Sequence, residues 1–526
     1  MKEKLENLIK EAIDSLNLGS VNFVVEHPSD LNMGDYSTNV GIKTGKAKEI
    51  LKHLEVRLPS EVEKVELAGP GFINFYLSKA FFKKSIGEII EKGSEFGKNE
   101  NLRGQKIMVE HTDPNPFKEF HIGHLMPNVI GSMIARLFEW NGAEVKQANY
   151  QGDVGMHVAK ALWKGDYALG SKAFDADPEA KIEIEEINRK IYDRSDSEIN
   201  FKYDSGKKSS LEKFEKIYKK LDTHFDYYFF ESETGEIGKE IVEKNIGKVF
   251  EKSDGAIIFK GSHTRVFITS QGLPTYEAKD LGNAKNKYDK YPYDLSIIVT
   301  GNEIKDYFKV VLEAMKQVLP DLANKTKHLP HGMLRLSSGK MSSRTGDVIT
   351  VENLIEEVKK KVKGDEQIAM GAIKYMILRQ AIGNDIIFDI DKSVSTEGDS
   401  GVYLQYAYVR TNSLLEKAKD QGQTLSIDSQ GQTLRITHEI EKLLYRFPEI
   451  IERAGKEYAP HYIATYLTEL AGSFNNFYAH EQIIDDPASP AGRSPESPYR
   501  LAIVKAFNIV MKNGLTILGI PTPERM

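Results

Sequence analysis

The sequence predicts an α/β protein of several domains, with a parallel sheet at its centre, a small α+β domain before it and an α-helical bundle after it. Repeated strand–loop–helix units fill the middle of the chain, the pattern of a parallel sheet covered by crossover helices. From about Ser400 the strand signals stop and helical periodicity continues to the end. The length of 526 residues suits about three or four domains.

The opening residues Leu5, Leu8, Ile9, Ala12, Ile13 and Leu16 mark one face of a helix. GDYSTNV (Gly34 to Val40) follows, and Gly69-Pro70-Gly71 makes a turn into a strand over Phe72 to Leu77. Residues 1–100 therefore form the first domain, with the polar stretch Lys92 to Gln105 as linker. Residues 101–395 form the sheet domain. KIMVEHT (Lys106 to Thr112) is a strand, the loop DPNPFKEF follows, and an amphipathic helix runs from Ile122 to Trp140, stopped by Asn141-Gly142. Strands are expected around Val145 to Tyr150 and Leu295 to Thr300, with a helix from about Glu303 to Val318. Charged, irregular helical sequence at 165–262 reads as an insertion, and 396–526 as the helical domain.

Composition excludes several classes. Hydrophobic residues make up 40% and charged residues 28%, which excludes a collagenous or disordered chain. No run of about 18 apolar residues occurs, so no membrane span is expected. Charges spread through the N-terminus argue against a secretory signal. The absence of cysteine excludes disulfides, thiolate metal sites and cysteine nucleophiles, and fits a reducing cytoplasm. A net charge of −6 excludes a small histone-like binder but not an enzyme with local basic faces.

Two motifs carry chemistry. His121-Ile122-Gly123-His124 opens a helix after a strand, where helix N-terminal amides favour anions and Gly123 allows close approach of a flat base or ribose. Alone, the motif fits equally a pair of partly exposed histidines or half of a zinc site, for which no cysteine or third histidine is near. Gly339-Lys340-Met341-Ser342-Ser343-Arg344-Thr345-Gly346 is a Gly/Ser loop with Lys and Arg that can close over a phosphate chain, or a solvated basic loop; it is not a P-loop.

In this order the two motifs resemble the HIGH and KMSKS signatures of class I aminoacyl-tRNA synthetases. EHTDPNPFKEFHIGH (Glu110 to His124), NYQGDVGMHVAK, LPTYEAKD, YLQYAYVR and the terminal GIPTPERM narrow the resemblance to the arginyl-tRNA synthetase family, and GDYSTNV and GPGFINFYL resemble its N-terminal domain. The resemblance implies a Rossmann-like catalytic domain that activates L-arginine with ATP and Mg²⁺ to arginyl-adenylate, then transfers it to the 3′-terminal adenosine of tRNA(Arg). It also implies tRNA-dependent activation, a cytoplasmic monomer, no membrane partner and no dedicated metal site.

Carried onto this chain, the resemblance gives catalytic roles to His121, His124, Lys118 and Lys340. Lys118 takes the place of the second KMSKS lysine, where Ser343 stands. His121, Gly123, His124, Gly301, Glu303, Lys340, Met341 and Ser342 would bind ATP. Asn115 would hold the α-amino group, and Tyr276 and Asp280, four apart on a helix, the guanidinium. Glu110, Asp113 and His124 complete the arginine set, although Glu110 and Asp113 also suit loop positioning. Ile304 falls where the family has Gln, His157 suits a structural histidine, and Met126-Pro127 replaces a family pattern in the first turn of a helix that should survive. Tyr403, Gln405, Tyr406, Tyr408, Arg410 and Asn412 would face unstacked tRNA bases, or form helical core. The rival functions are another class I synthetase, a nucleotidyltransferase of the HIGH superfamily, and a non-catalytic tRNA-binding paralogue.

Overall fold

The computed structural model describes residues 1–337, 349–427, 438–485 and 496–526. At the N-terminus, β1 (Val25–Glu26), β2 (Tyr36–Thr38), β3 (Val62–Ala68) and β4 (Phe72–Leu77) form an antiparallel sheet in the order β1-β2-β4-β3. Leu5, Ile9, Ile13, Ile50 and Phe75 are buried between this sheet and its helices.

The central sheet is parallel throughout. Its strands are β5 (Lys106–Glu110), β6 (Glu144–Gln151), β7 (Tyr227–Phe230), β11 (Leu295–Gly301) and β12 (Thr326–His331), in the order β12-β11-β5-β6-β7. Between β7 and β11 lie the antiparallel β8 (Glu251–Ser253), β9 (Ala256–Lys260) and β10 (Thr264–Ile268). β13 (Leu334–Leu336) pairs with β14 (Ile386–Phe388) further on. Strand order reverses between β5 and β11, so their C-terminal ends splay loops apart and open the crevice where such sheets hold ligands.

Nine helices matter for the site and its supports: α1 (Ile122–Trp140), α2 (Ser197–Lys220), α3 (Glu231–Lys244), α4 (Tyr276–Lys290), α5 (Lys305–Val318), α6 (Glu366–Leu378), α7 (Gly401–Asp420), α8 (His461–His480) and α9 (Ser497–Leu518). α1 is buried along almost its whole length beneath the sheet's ligand edge. Gly131 lets it approach: a Cβ there would stand 2.2 Å from Cγ of the buried His111. α9 is long and apolar enough to cross a membrane, but its side chains are core of the helical bundle.

Two expectations change. The stretch 165–262 is not one insertion, because Tyr227–Phe230 returns to the central sheet as β7. It divides into a helical part ending with α2 and a later piece built on β8, β9 and β10. Pro127 lies not in the first turn but at the sixth position of α1. There its ring removes the bond to the Gly123 carbonyl, and tight burial of the helix compensates.

Candidate active site

α1 begins with a capping box made by two imidazoles. His121 Nδ1 accepts from the Gly123 N–H at 3.1 Å, and His124 Nδ1 accepts from the His121 N–H at 3.2 Å. The rings stack with centroids 3.9 Å apart. Burial, with His121 and Lys118 beside it, lowers the His124 pKa to about 3, and burial lowers that of His121 too. Both rings are therefore neutral, and with each Nδ1 accepting, each carries its proton on Nε2. The result is a pair of aligned donors at a helix N-terminus. Gly123 is needed there, since a Cβ would stand 2.8 Å from the His121 ring.

The segment beyond the second motif is anchored at the same place. Ile122 N–H donates to the Ile349 carbonyl at 3.1 Å, Val351 N–H to that of Phe120 at 3.1 Å, and Thr350 bridges to His121. Lys340, Met341, Ser342 and Ser343 lie outside the described residues.

The loop after β5 is strained, with positive φ at Thr112 (79°), Asp113 (41°) and Phe117 (69°). Asp113 ties it down, accepting from the Tyr150 N–H of β6 at 2.8 Å. Asn115 lies directly over Gly152, where a Cβ would stand 2.3 Å from its Oδ1 and 2.9 Å from Oε1 of Glu231. Lys118 Nζ stands 5.0 Å from the Tyr167 ring. His157 donates from Nε2 to the Gly152 carbonyl at 2.7 Å, and burial lowers its pKa to about 4, the features of a structural histidine.

Carboxylates crowd the floor, and their pairing distinguishes them. Glu110 pairs with Lys287 at 2.7 Å and also accepts from Asn283 at 2.9 Å, which braces β5 on α4. Glu231 is paired with Lys279 at 2.7 Å. Among the described residues Asp280 has no cation within ion-pair distance; the Tyr307 hydroxyl donates to it at 2.5 Å. Burial, aided by Glu110 and Glu231, pushes its carboxyl up to about 8. Tyr276 stands one turn away, 59% exposed at the mouth. A half-buried carboxyl without an ion-pair partner, beside an exposed tyrosine, is suited to receive a cationic side chain.

Gly301 ends β11, and the Glu303 carboxylate folds over it, 2.1 Å from where a Cβ would stand. Ile304 is half-buried and offers no polar group. Sequence reasoning missed Glu231 and Tyr307. Glu231 sits at a strand–helix junction, β7 to α3, which is a usual ligand position in a parallel sheet; reading 165–262 as one insertion hid that signal.

In the helical domain, Arg410 lies 4.6 Å from the Tyr406 ring and 5.2 Å from the Tyr478 ring, and donates to Asn475 at 3.0 Å. Asn475 in turn donates to the Tyr403 hydroxyl at 2.8 Å. These groups share one surface. Gln405 does not: it is fully buried and donates to the carbonyls of Gln367 (3.1 Å) and Pro521 (2.8 Å), so it belongs to the core. Tyr408 is also buried, and Asn412 is engaged by Asn508 at 2.8 Å.

The sequence profile of the class I (R) tRNA synthetase catalytic domain matches residues 85–390. The chain belongs to the class I arginyl-tRNA synthetases. The arginyl-tRNA synthetase N-terminal domain matches residues 3–77 and the DALR anticodon-binding domain residues 404–526. The arginine–tRNA ligase of Halothermothrix orenii is 29% identical over 570 residues, covering 100% of this chain and 99% of that one. The ligase of Streptococcus pneumoniae (strain CGSP14) is 29% identical over 573 residues, covering both chains fully. Two solved arginyl-tRNA synthetases share the fold. That of Thermus thermophilus has TM-score 0.75 and 23% identity over 100% of both chains. That of Plasmodium falciparum has TM-score 0.79 and 21% identity over 100% of this chain and 99% of that one. The reaction is the ATP-dependent ligation of arginine to tRNA, through arginyl-adenylate.

Proposed function

We propose that this synthetase recognises arginine through Asp280, with Tyr276 and Glu231 flanking the guanidinium and Asn115 taking the α-amino group. The observation that carries the reading is the uncompensated Asp280 carboxyl, beside Glu110 and Glu231 whose charges are already matched by lysines. A planar guanidinium meets a carboxylate bidentately, and an amino acid without that fork leaves buried polar groups unpaired. Discrimination of roughly 10⁴–10⁵ is reachable this way without a separate editing step.

The phosphates of ATP would lie against the Nε2–H donors of His121 and His124 and the α1 amides, with Gly123 against the ribose or base and Gly301 and Glu303 on the far side. Attack of the arginine carboxylate on the α-phosphate builds negative charge that these fixed donors, Lys118 and Lys340 are suited to stabilise. Met341 and Ser342 belong to the same proposed phosphate loop. Mg²⁺ would come with ATP rather than be held by a dedicated protein site, and would help to neutralise phosphate charge beside His121, His124, Lys118 and Lys340. Among the described residues no group of three or more His, Asp or Glu is arranged for a metal.

Tyr403, Tyr406 and Arg410 are proposed to meet the anticodon, Asp113 to position the loop, and residues 1–100, 101–395 and 396–526 to act as tRNA-contacting, catalytic and anticodon-binding domains. A cytoplasmic monomer is proposed on the family resemblance alone; tRNA and ATP as substrates support a cytoplasmic site of action. Charging a total tRNA pool with each labelled amino acid tests the reading. Arginine alone should be incorporated, and incorporation of another amino acid at a comparable rate would overturn it.

A further inference from the structure

The turn Gly152-Asp153-Val154-Gly155 follows β6, and none of the chemistry above uses its carboxylate. Asp153 is fully buried, yet its oxygens accept four hydrogen bonds from two other elements. Oδ1 accepts from the Ser232 N–H at 2.9 Å, and Oδ2 from the Ser232 hydroxyl at 2.7 Å. Oδ2 also accepts from the Tyr203 hydroxyl at 2.9 Å and from Lys207 Nζ at 2.7 Å.

Ser232 is the second residue of α3, and Glu231 is the first. A helix start leaves its first amides without partners, and an N-cap side chain ordinarily accepts from one of them. The N-cap of α3 is Phe230, which cannot. Asp153 supplies that acceptor from the turn after β6, and a carboxylate at a helix N-terminus is also favoured by the helix dipole. Lys207 balances its charge and lies 3.6 Å from the Phe230 ring. The carboxylate thereby fixes the backbone immediately after Glu231.

The partners on α2 fall on one face. Tyr203, Gly206, Lys207 and Ser210 are spaced i, i+3, i+4 and i+7. A Cβ at Gly206 would stand 2.3 Å from Cε1 of Phe117, so only glycine admits that ring, and Ser210 Oγ accepts from the Phe117 N–H at 3.0 Å. One face of α2 thus grips both the loop carrying Asn115 and Lys118 and the turn carrying Asp153.

We propose that Asp153 is a positioning residue for arginine recognition: it caps α3 from outside the helix, holds Glu231 at the guanidinium end, and through Tyr203 and Lys207 makes α2 a working wall of the pocket. The proposal rests on the assignment of Glu231 to that pocket.

The test uses the full-length enzyme with tRNA present, measuring KM for arginine and for ATP by pyrophosphate exchange together with the melting temperature. Asp153→Asn keeps the shape but cannot serve the lysine and both hydroxyls. Its arginine KM should rise about tenfold or more, the factor carried by one charge-assisted hydrogen bond, while the ATP KM stays within about twofold. Should Asp153→Asn fail to fold, Lys207→Met gives the same readout with a smaller rise, and Lys207→Arg should restore it. Equal shifts in both KM values, or a lowered melting temperature with unchanged arginine KM, would overturn the proposal. Glu231→Gln separates the two levels. If it leaves arginine KM unchanged, the pocket assignment and the proposal both fall; if it raises arginine KM while Asp153→Asn does not, only the proposal falls.

Discussion

His121 and His124 stack face to face, and each turns Nδ1 back onto a backbone N–H of the same helix start. The fold therefore assigns their protons to Nε2 and spends both Nδ1 atoms on the cap. His124→Ala should lower the rate of pyrophosphate exchange by roughly 10²–10³, the usual effect of deleting one donor to a developing anion, with circular dichroism unchanged. His121→Ala should show a similar rate loss, and each variant should also lose about 0.5–2 kcal/mol of stability with the cap bond that its Nδ1 accepts. Thermal melts against wild type measure the cap apart from the rate; a wild-type melting temperature in His121→Ala would show that its cap bond contributes nothing.

Asp280 predicts a proton coupling. Its carboxyl titrates at about 8 in the free enzyme, so at pH 7 it is mostly protonated. A bound guanidinium favours the ionised form and pulls that pKa below 7. Binding at pH 7 should therefore release close to one proton, and arginine affinity should rise with pH up to about 8 and then level off. Calorimetry in two buffers of different ionisation enthalpy measures the release directly. Asp280→Asn should abolish both the release and the pH dependence, and raise arginine KM by two or more orders of magnitude, roughly 3 kcal/mol for a lost charged partner.

What the sequence made legible follows from where its signals are local. α1 occupies Ile122–Trp140 as its periodicity and the Asn141-Gly142 stop require, and β4 occupies Phe72–Leu77 after its Gly-Pro-Gly turn. The spacing of Tyr276 and Asp280 was readable because a helix fixes it. Partnership across the fold was not readable. Nothing in GNEIKDYF announces that Tyr307 reaches Asp280, and the i,i+4 rule says nothing of Lys287 neutralising Glu110. The helical spacing of Gln405 among tyrosines fits a base-contacting face or core equally, and only the packing of α7 on both α6 and α9 turns it inward.

Lys374 predicts a pH-dependent joint. On α6 it is buried and donates to the carbonyls of Leu221, just after α2, at 2.8 Å and of Gly519, just after α9, at 2.7 Å. Burial, with Arg136 nearby, lowers its pKa to about 7. Unfolded, the amine would titrate near the ordinary lysine value of about 10.4. Between those values the unfolded chain binds more protons, so Lys374 contributes stability that grows as pH rises from about 7 to 10. Lys374→Met orphans two buried carbonyls at roughly 1–3 kcal/mol each. The gap in melting temperature between wild type and variant should widen from pH 6 to pH 9; a constant gap would contradict the buried amine.

Gly131 gives a packing prediction. Alanine there would place its methyl carbon 2.2 Å from Cγ of His111, whose ring is held by Thr112 at 2.8 Å and Gln147 at 3.1 Å and cannot swing aside without losing both bonds. Such overpacking costs about 1–3 kcal/mol. Because the strained Thr112–Asn115 loop continues directly from His111, Gly131→Ala should also raise arginine KM, whereas a change confined to the core would lower the melting temperature alone.

The tRNA surface can be separated from the chemistry. Arg410 is held between the Tyr406 and Tyr478 rings and donates to the Tyr406 hydroxyl at 2.9 Å, which orients a guanidinium and two exposed phenol rings toward solvent. Bases splayed from a loop stack on such planes, and each stacked base is worth roughly 1–3 kcal/mol. Tyr406→Ala should therefore raise the KM for tRNA about tenfold, with KM for ATP and arginine unchanged at saturating tRNA. Arg410→Lys keeps the charge but not the plane, and should lose most of the same affinity. If Arg410→Lys instead behaves like wild type, the residue acts as a phosphate-facing charge, and the salt dependence of tRNA binding, which falls by about one counterion when Arg410 is replaced by Met, would record it.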